Sequence, residues 1–280
     1  MADYGKNLRF GYFLVPMADQ PLVATAQAAE RLGLDYVAVQ DHPYQRRFVE
    51  TLSLLAALAT ATERIGLLPD VINLQLRQPA VLAKAAATID LLSGGRFELG
   101  LGAGAFPEAV AAYGGPGRTG GEALTALDEA IQVIRKVWSG ESNLRVDGEH
   151  YRLAGAKAGP VPAHSIGIWL GAVGPRALEL TARAADGWLP SFRSGESVER
   201  KTAQLDAALA GIGRDPAEVR RILNVGVVDD LPAGPIDLLA DLAVDLGFDT
   251  FIFGGEPDGL PRLANEIAPA VRDAVASRRA

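Results

Sequence analysis

Short apolar runs recur along the chain, and between them apolar residues fall at helical spacing. Leu8–Val15 is the first predicted strand, followed by a helix over Ala24–Leu32 that Gly33 caps. Tyr36–Val39 is the second strand, and Thr51–Thr62 the next helix, with Leu52, Leu55, Ala56 and Ala59 on one face. Ile65 to Leu68 open a third strand, which Val71-Ile72 extend beyond Pro69. Pro79 starts a helix with Val81, Leu82, Ala85, Ala86, Ile89 and Leu92 as its stripe, and Ser93-Gly94-Gly95 ends it. Phe97, Leu99 and Leu101 alternate along a fourth strand that runs into Gly-Leu-Gly-Ala-Gly. Gly121–Ser139 reads as a long helix, and Asp147-Gly148 as a hairpin turn within Glu141–Leu153. Ile166–Leu170, Gly187–Leu189, Ile222–Val228 and Thr250–Phe253 complete eight strands. Helices over Pro175–Ala185, Val198–Gly211, Pro235–Leu246 and Pro261–Ala276 alternate with them.

Eight strands alternating with helices over 280 residues fit an α/β fold of the (β/α)8 TIM-barrel type. A doubly wound open sheet, the competing arrangement, usually shows fewer strands at this length. The strands are apolar throughout, as expected where both faces are covered. With no linker or low-complexity tract, residues 1–280 read as one domain, with insertions after strand 4 and before strand 5 at 105–121 and 141–165.

Composition narrows the function. A net charge of −7 argues against a nucleic-acid partner, whose phosphates need a basic face. There is no cysteine, so disulfide and thiolate chemistry are excluded. No apolar stretch reaches membrane-spanning length, and the polar Met1–Asn7 does not read as a signal peptide, so a cytoplasmic protein is expected.

Barrel active sites lie at the strand C-termini. Of three histidines, only His42 falls there, directly after Asp41. It serves either as a proton-exchanging group near neutral pH or as a helix-entry residue bonded to Asp41 or backbone. His150 reads as a surface residue of the polar hairpin, and His164 belongs to the opposite barrel face. No metal site is expected from histidines so scattered. Gly100-Leu101-Gly102-Ala103-Gly104 lacks the third glycine of a dinucleotide fingerprint. Gly102 and Gly104 either let a flat ring approach the backbone or serve tight barrel packing. Gly171-Ala172-Val173-Gly174 opens a helix at Pro175-Arg176 and reads as a phosphate site or as a plain strand-to-helix turn.

Three blocks, GLDYVAVQDHPY at 33–44, the run 64–104 and IWLGAVGPRALELTARAADGWLP at 168–190, resemble the bacterial luciferase-like flavin-dependent oxidoreductases, especially single-chain actinobacterial members. The family fold is a (β/α)8 barrel. The resemblance implies an enzyme binding the deazaflavin coenzyme F420 or, alternatively, FMN. It implies that Gly171 to Gly174 meet the cofactor phosphate and that Asp41 and His42 lie near the ring. Deazaflavin-using members often carry a non-prolyl cis peptide in the third strand, and the matching positions are Asp70-Val71. The expected reaction is hydride exchange with a small organic substrate, His42 handling the proton. With FMN, oxygenation would require reduced flavin from a separate reductase. Some deazaflavin-dependent dehydrogenases have an acid where Ala105-Phe106 stands, so a sugar-phosphate role is not supported. Phe106, Trp188 and Phe192 suggest an apolar substrate pocket or, equally, simple packing. A homodimer through early barrel helices is a further implication. A ligand-binding barrel without catalysis is the reading from another class.

Overall fold

The computed structural model describes residues 4–191, 197–227 and 234–280. Its strands β1 (Arg9–Leu14), β2 (Tyr36–Val39), β3 (Gly66–Pro69), β4 (Ile72–Asn73) and β5 (Leu99–Gly102) form one part of a ring. The antiparallel pair β6 (Leu144–Asp147) and β7 (Arg152–Ala156) stands apart, and β8 (Ile168–Leu170), β9 (Gly187–Trp188), β10 (Arg220–Val227) and β11 (Thr250–Gly254) complete the ring. Ring order is β3-β2-β1-β11-β10-β9-β8-β5-β4, with every pairing parallel. β3 and β4 are two halves of one stave, and the Asp70-Val71 peptide between them is cis, as the resemblance implied. The ring closes where Leu67 N donates to Arg96 O at 2.8 Å and Glu98 N donates to Leu67 O at 2.9 Å. The result is the eight-stave barrel expected from the sequence.

Helices α1 (Leu22–Arg31), α2 (Thr51–Ala61), α3 (Pro79–Ser93), α4 (Pro107–Ala112), α5 (Gly120–Trp138), α6 (Pro175–Ala184), α7 (Val198–Gly211) and α8 (Pro235–Leu246) follow the strands. A further helix, Ala268–Arg279, closes the chain beyond a π-helical turn. Apolar side chains build two layers of core. Inside the ring, Tyr36, Ala38, Leu68, Trp169, Leu189, Ile222 and Ile252 pack together, with Trp169 edge-on to Tyr36 at 5.6 Å. The larger layer lies between ring and helices. The buried stripe of α3 is rotated from the expected one. Leu82, Ala83, Ala86, Ala87 and Ile89 are buried, while Val81 and Leu92 are exposed.

Several local structures escaped the sequence pattern: α4, and 3-10 turns at Leu74–Leu76, Pro216–Glu218 and Pro257–Gly259. The hairpin turn came where Asp147-Gly148 placed it, and Glu129 of α5 fastens it by accepting the N–H groups of Glu149, His150 and Tyr151. His150 is therefore half-buried, its Nε2 shielded from solvent, rather than a free surface residue. His164 lies on the N-terminal face as expected, its Nδ1 2.7 Å from the buried Asp90 carboxylate. Among the described residues no helix is long and apolar enough to cross a membrane.

Candidate active site

The strand C-termini converge on a cavity of about 680 Å³. Of the sequence candidates, Asp41, His42, Asp70, Val71, Gly102, Gly104, Phe106, Gly171 and Val173 line it. Ala172, Gly174, Arg176 and Trp188 do not, and Phe192 lies outside the described residues.

β2 delivers Asp41 and His42 to the rim. The Asp41 carboxylate is buried and gripped by both arms of Arg77, at 2.6 and 2.8 Å, and by Asn73 N at 2.7 Å. Arg77 also reaches Glu50 at 2.7 Å, and Glu50 in turn caps α2 through Ser53 N. Burial works against the guanidinium charge, but the two carboxylates outweigh it and hold its pKa above the ordinary value. Asp41 therefore stands in the cavity wall with its oxygens committed to a buried ion pair, and acts there as a brace.

His42 is placed for chemistry. Its Nδ1 lies 2.5 Å from the Tyr44 hydroxyl, and its ring meets Tyr44 and Phe106 edge-on at 5.4 and 5.6 Å. Burial lowers the imidazole pKa, with Asp41 opposing. The ring is thus neutral at neutral pH, one nitrogen engaged by Tyr44 and the other left for a ligand. Phe106 stands at the mouth, 59% exposed, in a left-handed conformation (φ 59°) that turns the chain into α4.

The glycines of the fourth and fifth staves make room for the broken third. A Cβ at Gly100 would land on the Pro69 carbonyl oxygen. One at Gly102 or Gly171 would come within 2.9 or 3.1 Å of the Val71 side chain. Gly104, at φ 101°, abuts Gln75 and Asn73. Packing thus accounts for all four, and Gly100, Gly102 and Gly171 seat the Val71 side chain beside the cavity.

Asp70 turns its carboxyl to Asn224, whose Nδ2 donates to Oδ2 at 3.1 Å. Burial pushes that carboxyl up to about 7, with Asn224 opposing.

After β8, Ala172 is buried, and its carbonyl accepts Trp188 Nε1 at 3.0 Å. Trp188 is fully buried against Phe248, so it packs between ring and helices instead of lining a substrate pocket. Val173 and Gly174 are exposed at the start of α6, whose first residue is Pro175. Arg176 is exposed and lies over the first turn of α5, against Gly121, away from the cavity.

Sequence reasoning missed Tyr44, Lys201 and Asn224. Asn224 did leave a signal, as a polar residue inside the apolar run Ile222–Val225. Lys201 left none, because its helix turns it inward toward strands far away in sequence. Among the described residues no group of three histidines or acids is placed to hold a metal ion.

Known proteins share this fold and family. A family model described as luciferase-like monooxygenase matches residues 11–230. A 5,10-methylenetetrahydromethanopterin reductase of Archaeoglobus fulgidus is 36% identical over 208 residues, covering 74% of this chain and 60% of the relative. An F420-dependent glucose-6-phosphate dehydrogenase of Nocardia farcinica is 33% identical over 220 residues, covering 75% of this chain and 65% of the relative. The chain thus spans less than two thirds of the length of either. Among solved structures, an F420-dependent secondary alcohol dehydrogenase in complex with an F420-acetone adduct superposes with a TM-score of 0.82 at 17% identity, covering 95% of this chain and 100% of that one. At that identity the likeness is one of fold. A parallel eight-stave barrel with its cavity at the strand C-termini, matched by the family model over most of its length, places this chain in the luciferase-like monooxygenase family.

Proposed function

We propose that this chain is an oxidoreductase that binds coenzyme F420 at the strand C-termini and exchanges hydride with a small organic substrate. The observation that carries this reading is His42, neutral and steadied by Tyr44, on the wall of a cavity large enough for an organic cofactor. Relatives at 33–36% identity include one whose name carries F420 dependence, which supports the choice of cofactor.

The residues present fit the group. Val71, seated between Gly102 and Gly171, offers a narrow apolar shelf against which a flat ring can lie. The exposed start of α6 at Val173 and Gly174 presents backbone N–H groups suited to a phosphate. F420, when bound, supplies the ring carbon that gives or takes hydride. His42 gives or takes the accompanying proton, or stabilises charge growing on the substrate oxygen, and Tyr44 fixes the imidazole's orientation. Phe106 shields the mouth. No carboxylate stands at Ala105 or Phe106, so a sugar phosphate is not the proposed substrate.

Titration of the purified chain with F420 and, separately, with FMN, followed by cofactor fluorescence, tests the reading. Saturable binding of F420 and not of FMN is expected. Binding of FMN alone, or of neither, overturns it.

A further inference from the structure

Asp70 lines the same cavity and has no part in the chemistry assigned to His42. We propose that Asp70 is a second proton-exchanging residue, aimed at the reacting oxygen of the substrate by Asn224. The inference rests on the F420 reading of the site.

Asp70 is held at both ends. Its backbone N donates to Val39 O at 2.8 Å, pinning it against β2. Its carboxyl accepts from Asn224 at 3.1 Å, a residue of β10 in another part of the ring. Beneath lies the apolar layer of Leu68, Leu189 and Ile222. No cation among the described residues forms an ion pair with this carboxyl. Arg77 is taken by Asp41 and Glu50, and Lys201, which reaches the cavity from α7, has interactions of its own. Asp41 and His42 are the titratable groups that line the same cavity from the loop after β2, and Tyr44 reaches it only through His42.

A carboxyl with one neutral donor in an apolar seat keeps its proton to higher pH than in water, here to about 7. Burial moves His42 the other way. The two groups thus exchange their usual order, and near neutral pH the carboxyl is the proton donor while the imidazole is the uncharged partner. When a substrate carbonyl is reduced, its carbon receives hydride from the reduced cofactor and forms the new C–H bond. The carbonyl π pair moves to oxygen, and that oxygen takes the Asp70 proton, while His42, uncharged, keeps the second of its roles and stabilises the charge growing on that oxygen. Asp70 is left as a carboxylate bonded to Asn224 and regains its proton from solvent. Alcohol oxidation runs the same transfers backwards.

An infrared pH titration of the purified chain, wild type minus Asp70→Asn, isolates the carboxylic acid band of Asp70. The band should vanish with a midpoint near pH 7, and Asn224→Leu should move that midpoint higher. A midpoint in the ordinary carboxylate range overturns the proposal, as does an Asn224→Leu midpoint that stays put. Adding F420 and then testing substrates of the carbonyl and alcohol classes should shift the band. Saturating F420 and a turned-over substrate that leave the band unmoved overturn the contact. Failure of F420 to bind refutes the cofactor reading instead, and fluorescence detects it separately.

Discussion

At the scale of single residues, the site divides into groups that brace and groups that react. Asp41 and His42 are neighbours in sequence with opposite fates, one locked to Arg77, the other opening onto the cavity. His42→Ala should keep F420 binding and lose turnover by about 10²–10⁴-fold, the usual reach of acid–base catalysis. Steady-state rates beside a binding titration check it, and near wild-type turnover would sink the role. Asp70 also leaves a mark on stability. Its pKa is raised in the folded chain, so its contribution is complete below the unfolded carboxylate range and is lost as pH rises to about 7. Asp70→Asn has no such proton to lose. Urea unfolding at about pH 5 and about pH 8 should show wild type losing about 2–3 kcal/mol more than the variant between the two. The sequence made His42 legible because it stands at a strand end. It hid what Asp41 and Asp70 do, because their partners lie at Arg77 and Asn224, and pairing over such separations is set by closure of the ring.

At the scale of elements, every barrel strand was legible from its apolar run, and most helices from their glycine and proline boundaries. The 3-10 turn at Leu74–Leu76 was not, because Asn73 caps it through Gln75 N within only a few residues. Nor was α4, six residues long and entered through a left-handed Phe106. The glycine runs were legible as unusual, but their cause lies in another stave. Gly100→Ala should cost about 1–3 kcal/mol or more, because its Cβ meets a backbone oxygen that has nowhere to go. Gly174→Ala, with nothing within 4 Å of its Cβ, should change stability by less than about 0.5 kcal/mol. Thermal melts of the two variants compare them directly, and equal losses would discredit the packing account.

At the scale of the whole molecule, chemistry and support occupy opposite ends of the ring. The strand C-termini hold the cavity, while the N-terminal end is closed by His164 with Asp90 and by Arg220 with Asp249 at 2.7 Å. The closed ring also hides almost all strand backbone from other chains. Among the described residues only the β6–β7 ribbon stands outside it, and its two outer sides carry no strand partner there. Arg145 and Arg152 stand exposed along that ribbon, Arg152 facing Asp147 across it at 3.3 Å. Charges in such places deter strands of neighbouring molecules from docking. Arg145→Val with Arg152→Val should therefore raise self-association at high protein concentration while leaving the melting temperature nearly unchanged. Light scattering across a concentration series reads this out. Resistance to self-association, on this view, is built into two arginines on a ribbon that the barrel does not enclose.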